Sequence, residues 1–214
     1  MTIKAMIFDL DGTLLDTLAD LTRSMNVALT SVGLPPRTAE ECRLMIGNAL
    51  PAFSRRAVGP DNQHLAQAVA ARMRDEYRAN CTNETAIYEG LAPALDELKK
   101  RGIRLAVLTN KDQDVARQIV EHYFGTDTFD PIAGTKPDTP IKPDPTSTLA
   151  ILKQWNLPPA EVLFVGDSDT DVQTAHNANL RAVGVSWGFR GRQHLEAANA
   201  DTVIDHPQEL LALC

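Results

Sequence analysis

Cysteine is scarce in this chain, membrane-length apolar runs are missing, and lysine and arginine are too few to balance the acids. Three cysteines, Cys42, Cys81 and Cys214, show neither a CxxC pair nor any metal-like spacing. That excludes a disulfide framework and suits a reducing compartment. The five histidines, His64, His122, His176, His194 and His206, are too scattered to make a ligand set. The opening MTIKAMIFDL has no basic segment followed by a sustained apolar stretch, and no later run approaches a bilayer span. A cytoplasmic protein with no membrane partner is expected. With 21 Lys and Arg against 28 Asp and Glu, the net charge of −7 disfavours nucleic acid and anionic lipid. Any anionic substrate must therefore be met locally, by a metal, a lysine or backbone amides. Neither repeats nor low-complexity tracts occur.

What is present is enough apolar sequence, 43% of 214 residues, to build one large domain or a core with a modest insertion. Ile3–Phe8 reads as a buried strand halted by the turn Asp9-Leu10-Asp11-Gly12. Leu18, Leu21, Met25, Leu29 and Val32 then recur at three- and four-residue steps, predicting an amphipathic helix closed by Gly33. Thr38 and Glu41 have the spacing of a capping box. Leu50–Val58 and His64–Cys81 are also helical, so residues 17–82 offer no strand.

From Leu91 the pattern alternates. Strands are expected over Ile103–Leu108, Phe129–Ala133, Glu161–Val165, Arg181–Val185 and Thr202–Ile204. Helices are expected over Leu91–Arg101, Asp112–Phe124, up to Trp155, Asp171–Ala178, Arg192–Ala198 and from Pro207. Alternation of this kind implies an α/β fold with a parallel, Rossmann-like sheet. The helical block is too long for one crossover and reads as an insertion. The expected division is a catalytic core of residues 1–15 and 84–214 with a small all-helical cap of residues 16–83.

Open α/β sheets bind ligands beyond the carboxyl ends of their strands. Four such ends carry reactive groups here: Asp9 and Asp11; Thr109, Asn110 and Lys111; Lys142; and Asp167-Ser168-Asp169-Thr170-Asp171. Any one could be an ordinary strand-end polar residue. Together, acids that need a cation and cations that could hold an anion describe a site for phosphoryl transfer.

Asp9-Leu10-Asp11-Gly12-Thr13-Leu14 resembles the DxDGT signature of the haloacid dehalogenase superfamily. Thr109, Lys142 and Gly166-Asp167-Ser168-x-x-Asp171 are similar to its three later motifs, in the same order. The resemblance implies that Asp9 attacks phosphorus, and that Asp11 protonates the leaving oxygen and then activates water. It implies further that Thr109, Asn110 and Lys142 hold the phosphoryl group. Mg2+ would be held by Asp9, the Asp11 carbonyl and Asp167, with Asp171 in the outer shell. Lys136-Pro137-Asp138 competes with Lys142-Pro143-Asp144 for the lysine motif. Lys142 is preferred because a helix follows it at once.

The expected partner is a small phosphate ester. Arg43 with Ile46-Gly47-Asn48-Ala49-Leu50 resembles the cap loop of phosphoglycolate phosphatases, so Arg43, Gly47 and Asn48 are candidate substrate contacts and 2-phosphoglycolate is the leading substrate. The alternative for Gly47-Asn48 is a plain helix end and turn. Sugar phosphates, pyrophosphate and a sugar phosphomutase reaction share the same core motifs. A receiver-like phosphoacceptor domain fits less well, since it lacks a large helical insertion. Monomer and dimer are equally compatible with the sequence.

Overall fold

The structure, a computed structural model, describes residues 2–214. Contacts along the chain divide it into two compact units: one running up to Leu15 and resuming over Ile87–Cys214, the other Asp16–Ala86.

In the first unit, six described strands form one parallel sheet: β1 (Ala5–Phe8), β4 (Arg104–Asp112), β5 (Ile132–Thr135), β6 (Val162–Gly166), β7 (Arg181–Val185) and β8 (Thr202–Ile204). β2 (Leu15–Asp16) and β3 (Ala86–Ile87) pair with each other where the chain passes between the units. The sheet order is β5-β4-β1-β6-β7-β8. β1 is all buried because it lies between β4 and β6, pairing Ile7 with both Ala106 and Phe164. A strand covered on both faces must read as a continuous apolar run, and AMIF does. Strand order reverses direction at β1, so its carboxyl end opens into the crevice where such sheets take ligands.

The crossovers are α5 (Leu91–Lys100), α6 (Gln113–Phe124), α7 (Thr146–Trp155), α8 (Asp169–Asn177) and α9 (Arg192–Ala197). Under one face, Ile151, Leu152 and Trp155 of α7 pack with Ile7, Leu108, Phe164 and Val172. Buried Trp155 still satisfies its indole N–H, on the Asp130 carbonyl at 3.0 Å.

Three elements differ from the sequence expectation. β4 continues past its apolar run through Thr109–Lys111 to Asp112, which aligns with Thr135 after a register shift. Backbone pairing does not require apolar side chains, so the run's end at Leu108 did not mark the strand's end. β5 begins at Ile132, three residues later than expected. Pro131 has no N–H to give a ladder, and Phe129 is instead a core residue edge-on to Phe8 and Phe124. α8 also begins earlier, at Asp169, because Ser168 and Asp171 close a capping box around it.

The second unit consists of α1 (Leu18–Ser31), α2 (Ala39–Met45), α3 (Ala49–Val58), a 3-10 turn over Pro60–Leu65 and α4 (Ala66–Asn80). The Thr38 hydroxyl accepts from the Glu41 N–H, and Glu41 returns a bond to the Thr38 N–H at 2.7 Å. Asp20, fully buried on α1, accepts from the Glu84 and Thr85 amides, the Thr85 hydroxyl and Arg23. Among the described residues no helix is long and apolar enough to cross a membrane.

Candidate active site

Asp9 is the first residue beyond β1, and its N–H still bonds the Val165 carbonyl of β6 at 2.9 Å. The chain then turns at once. The Leu10 carbonyl accepts from the amides of Thr13, Leu14 and Leu15, and Gly12 sits at φ +85°. That conformation suits glycine, and a Cβ at Gly12 would also collide with the Asp167 carboxylate. The turn can therefore pack directly on the end of β6.

Lys142 comes from the loop between β5 and α7. Asn110, at the end of β4, brackets its peptide: the Asn110 amide donates to the Lys142 carbonyl at 3.1 Å, and the Lys142 N–H donates to Asn110 Oδ1 at 2.8 Å. Held this way, the Lys142 ammonium reaches Asp9 Oδ1 and Asp171 Oδ1, each at 2.7 Å, with its side chain only 4% exposed. It also lies 5.7 Å from the centre of the Phe164 ring. Lys136, by contrast, is exposed.

Asp167 and Asp171 follow β6. Asp167 Oδ2 accepts the Phe189 N–H at 2.7 Å. Asp171 Oδ2 accepts from the Ser168 hydroxyl at 2.6 Å and the Ser168 N–H at 3.1 Å. Asp9, Asp167 and Asp171 each bring an oxygen within 4.8 Å of the other two, and all three are buried. Gly166 and Gly188 permit this crowding, since a Cβ on either would run into Asp171 or Asp167 respectively.

Burial pushes the Asp9 carboxyl up; Lys142 pulls it back, Asp171 and Asp11 add to the rise, and the result is about 7. Asp167 is raised well above the carboxylate range, first by burial and then by Asp171 and Asp9. For Lys142, burial alone would lower the pKa, but Asp171 and Asp9 more than reverse it, so the ammonium is charged at every working pH. Asp11 is paired with Lys111, Nζ to Oδ1 at 2.8 Å. Ionised together, Asp9, Asp11, Asp167 and Asp171 exceed Lys111 and Lys142 by two charges, a deficit that one divalent cation would balance. Oxygen-only donors select a hard ion such as Mg2+. Asp171 has donors on both oxygens, whereas Asp9 and Asp167 each show one oxygen bonded, so these two are the better direct ligands.

The structure therefore gathers Asp9, Asp11, Thr109, Asn110, Lys142, Asp167 and Asp171 at one edge of the sheet. Thr109 is buried, and its hydroxyl accepts the Lys111 N–H at 3.3 Å. The Asn110 side chain holds the lysine loop. Arg43, Gly47 and Asn48 belong to the second unit: Arg43 makes a paired contact with Glu40, Gly47 lies between α2 and α3, and Asn48 Oδ1 accepts from Arg56 at 2.6 Å. Sequence reasoning listed Lys111 and Ser168 among the reactive strand-end groups but gave neither a role, and it gave none to the Phe189 amide.

The haloacid dehalogenase-like hydrolase family model matches residues 6–185. The phosphoglycolate phosphatase of Pseudomonas putida is 32% identical over 217 residues, covering 99% of this chain and 79% of its own. That of Haemophilus influenzae is 31% identical over 218 residues, covering 98% and 97%. A crystal structure from Lactobacillus delbrueckii subsp. bulgaricus matches with a TM-score of 0.94 at 29% identity, covering 100% of this chain and 99% of that one.

Proposed function

The chain belongs to the haloacid dehalogenase-like hydrolases, and from that premise we propose that it is a magnesium-dependent phosphatase working through a phosphorylated Asp9. It is an enzyme of the phosphoric monoester hydrolase class. The observation that carries the reading is the Lys142 ammonium, 2.7 Å from both Asp9 and Asp171 inside a buried acid cluster.

Asp9 attacks phosphorus in line, and the bond to the ester oxygen breaks. Asp11, entering the cycle protonated, gives that oxygen its proton; the carboxylate so formed takes one from the water that attacks the aspartyl phosphate, and the bond between phosphorus and Asp9 breaks to release phosphate. Lys142, the Thr109 hydroxyl and Asn110 hold the transferring oxygens. Their fixed positions matter because phosphoryl transfer is catalysed mainly by placement and charge. Asp9, Asp167 and the Asp11 carbonyl would hold Mg2+, whose charge when bound offsets the repulsion between Asp9 and phosphate.

The named relatives support 2-phosphoglycolate as substrate. The helical unit then serves as a cap, with Arg43, Gly47 and Asn48 contacting the organic portion, and the reaction takes place in the cytoplasm. Phosphate release should require Mg2+ and be fastest with 2-phosphoglycolate among small esters, and Asp9→Asn should abolish it. Undiminished turnover in EDTA would sink the metal requirement, and equal rates across a panel of sugar phosphates would sink the substrate.

A further inference from the structure

We infer that Lys111 reads the leaving group, by contacting a carboxylate carried one carbon from the ester oxygen. This rests on the reading of Asp11 as the proton donor to that oxygen. Lys111 Nζ lies 2.8 Å from Asp11 Oδ1, and the two side chains are only 6% and 15% exposed. An oxygen that takes a proton from Asp11 must come within about 3 Å of its carboxyl. Through the oxygen that Lys111 holds, Oδ1, the leaving oxygen comes within roughly 6 Å of the ammonium. Across a single methylene, a carboxylate oxygen lies about 3 Å from the ester oxygen by standard bond lengths. A carboxylate on the Lys111 side of the ester oxygen is thereby brought to about 3 Å from the ammonium.

Charge argues the same way. A phosphate ester with a carboxylate brings one more negative charge to a chain whose net charge is already −7. Lys142 is engaged on the phosphate side, between Asp9 and Asp171. Lys111 is the buried ammonium beside Asp11, where the alcohol departs. Its backbone is also well fixed. β4 runs on to Asp112, the Lys111 N–H bonds the Thr109 hydroxyl, and neighbouring β5 approaches so closely that a Cβ on Gly134 would strike the Lys111 carbonyl at 2.7 Å. A cation on so rigid a support can discriminate between ligands at little ordering cost.

The test compares kcat/KM for 2-phosphoglycolate with that for ethyl phosphate, which has the same carbon skeleton without the carboxylate, in the Mg2+-loaded protein. Wild type should prefer 2-phosphoglycolate. In Lys111→Met both activities should fall, because Asp11 loses its partner, but the preference itself should shrink by about ten- to a hundredfold, the worth of a charge-assisted hydrogen bond. Lys111→Arg, which keeps the charge, should retain most of the preference. Equal losses on both esters, with the preference intact, would make Lys111 a positioning residue for Asp11 and overturn the inference alone. A wild type indifferent to the carboxylate would overturn the substrate reading, and this inference with it.

Discussion

Asp9 combines two requirements that pull apart: a nucleophile must be ionised, and a buried carboxylate resists ionisation. Its pKa near 7, raised chiefly by burial against the opposing pull of Lys142, expresses that conflict. Below pH 7 a proton competes with the cation for the same oxygens. Magnesium affinity should therefore weaken at least about tenfold per pH unit below 7. Calorimetry on the metal-free protein at pH 6, 7 and 8 measures this, and a flat profile would mean that Asp9 is already ionised at pH 6. The stability sign follows from the same shift. Raised carboxyls make the folded state hold more protons than the unfolded one, so metal-free stability falls as pH rises from about 4 through 7. Asp167 adds to that loss, since burial, Asp171 and Asp9 all oppose its charge. Asp167→Asn should raise the Tm of the metal-free protein at pH 8, by on the order of 1 kcal/mol in stability, and remove the stabilisation by Mg2+. A lower Tm in EDTA would show that the bond from the Phe189 N–H outweighs the charge repulsion.

At the level of elements, the acids converge because glycines let strand ends and turns touch. A Cβ on Gly188 would meet Asp167 Cβ and the Gly12 carbonyl, whereas one on Gly191 would meet nothing within 4 Å. Gly188→Ala should cost about 1–3 kcal/mol as overpacking and also lower kcat, since the obstructed group is Asp167. Gly191→Ala, strained only by its φ of +76°, should lower Tm without touching kcat. Equal kcat for both variants would deny Gly188 any part in shaping the site. These close approaches were not legible in the sequence, because a one-dimensional pattern does not tell which backbone another will press against. The strands were legible where a short, mostly apolar stretch stood between helices and turns, as at β7 and β8. They were misjudged where polar residues kept pairing, at β4, or where a core aromatic lay outside the ladder, at Phe129. For the same reason Lys111, though noted at a strand end, was given no role. Thr109-Asn110-Lys111 marks a strand end, but nothing in the spacing says that the third side chain turns back onto Asp11.

For the molecule as a whole, the second unit is a long excursion that must begin and end near the same place. Asp20 ties those ends, joining α1 to Glu84 and Thr85 across 64 and 65 residues of chain. Burial alone would raise its pKa, but the Glu84 and Thr85 amides, Arg23 and the Thr85 hydroxyl together hold it below the usual carboxylate value. A carboxyl depressed in this way stabilises the fold fully above its unfolded pKa, and that contribution fades as pH falls through the lower folded value. Asp20→Ala removes the acceptor shared by the two amides and the hydroxyl and should cost about 2–4 kcal/mol. Every bond Asp20 makes lies inside Asp16–Ala86, so the damage should be local. Hydrogen exchange should quicken in α1 and in residues 82–86 while β1, β4 and β6 keep their protection. Lowering the pH of wild type below 4 should loosen the same amides, and the variant should be insensitive to that change. Uniform loss of protection across both units would instead mean that the chain unfolds as a single cooperative body and that Asp20 secures all of it.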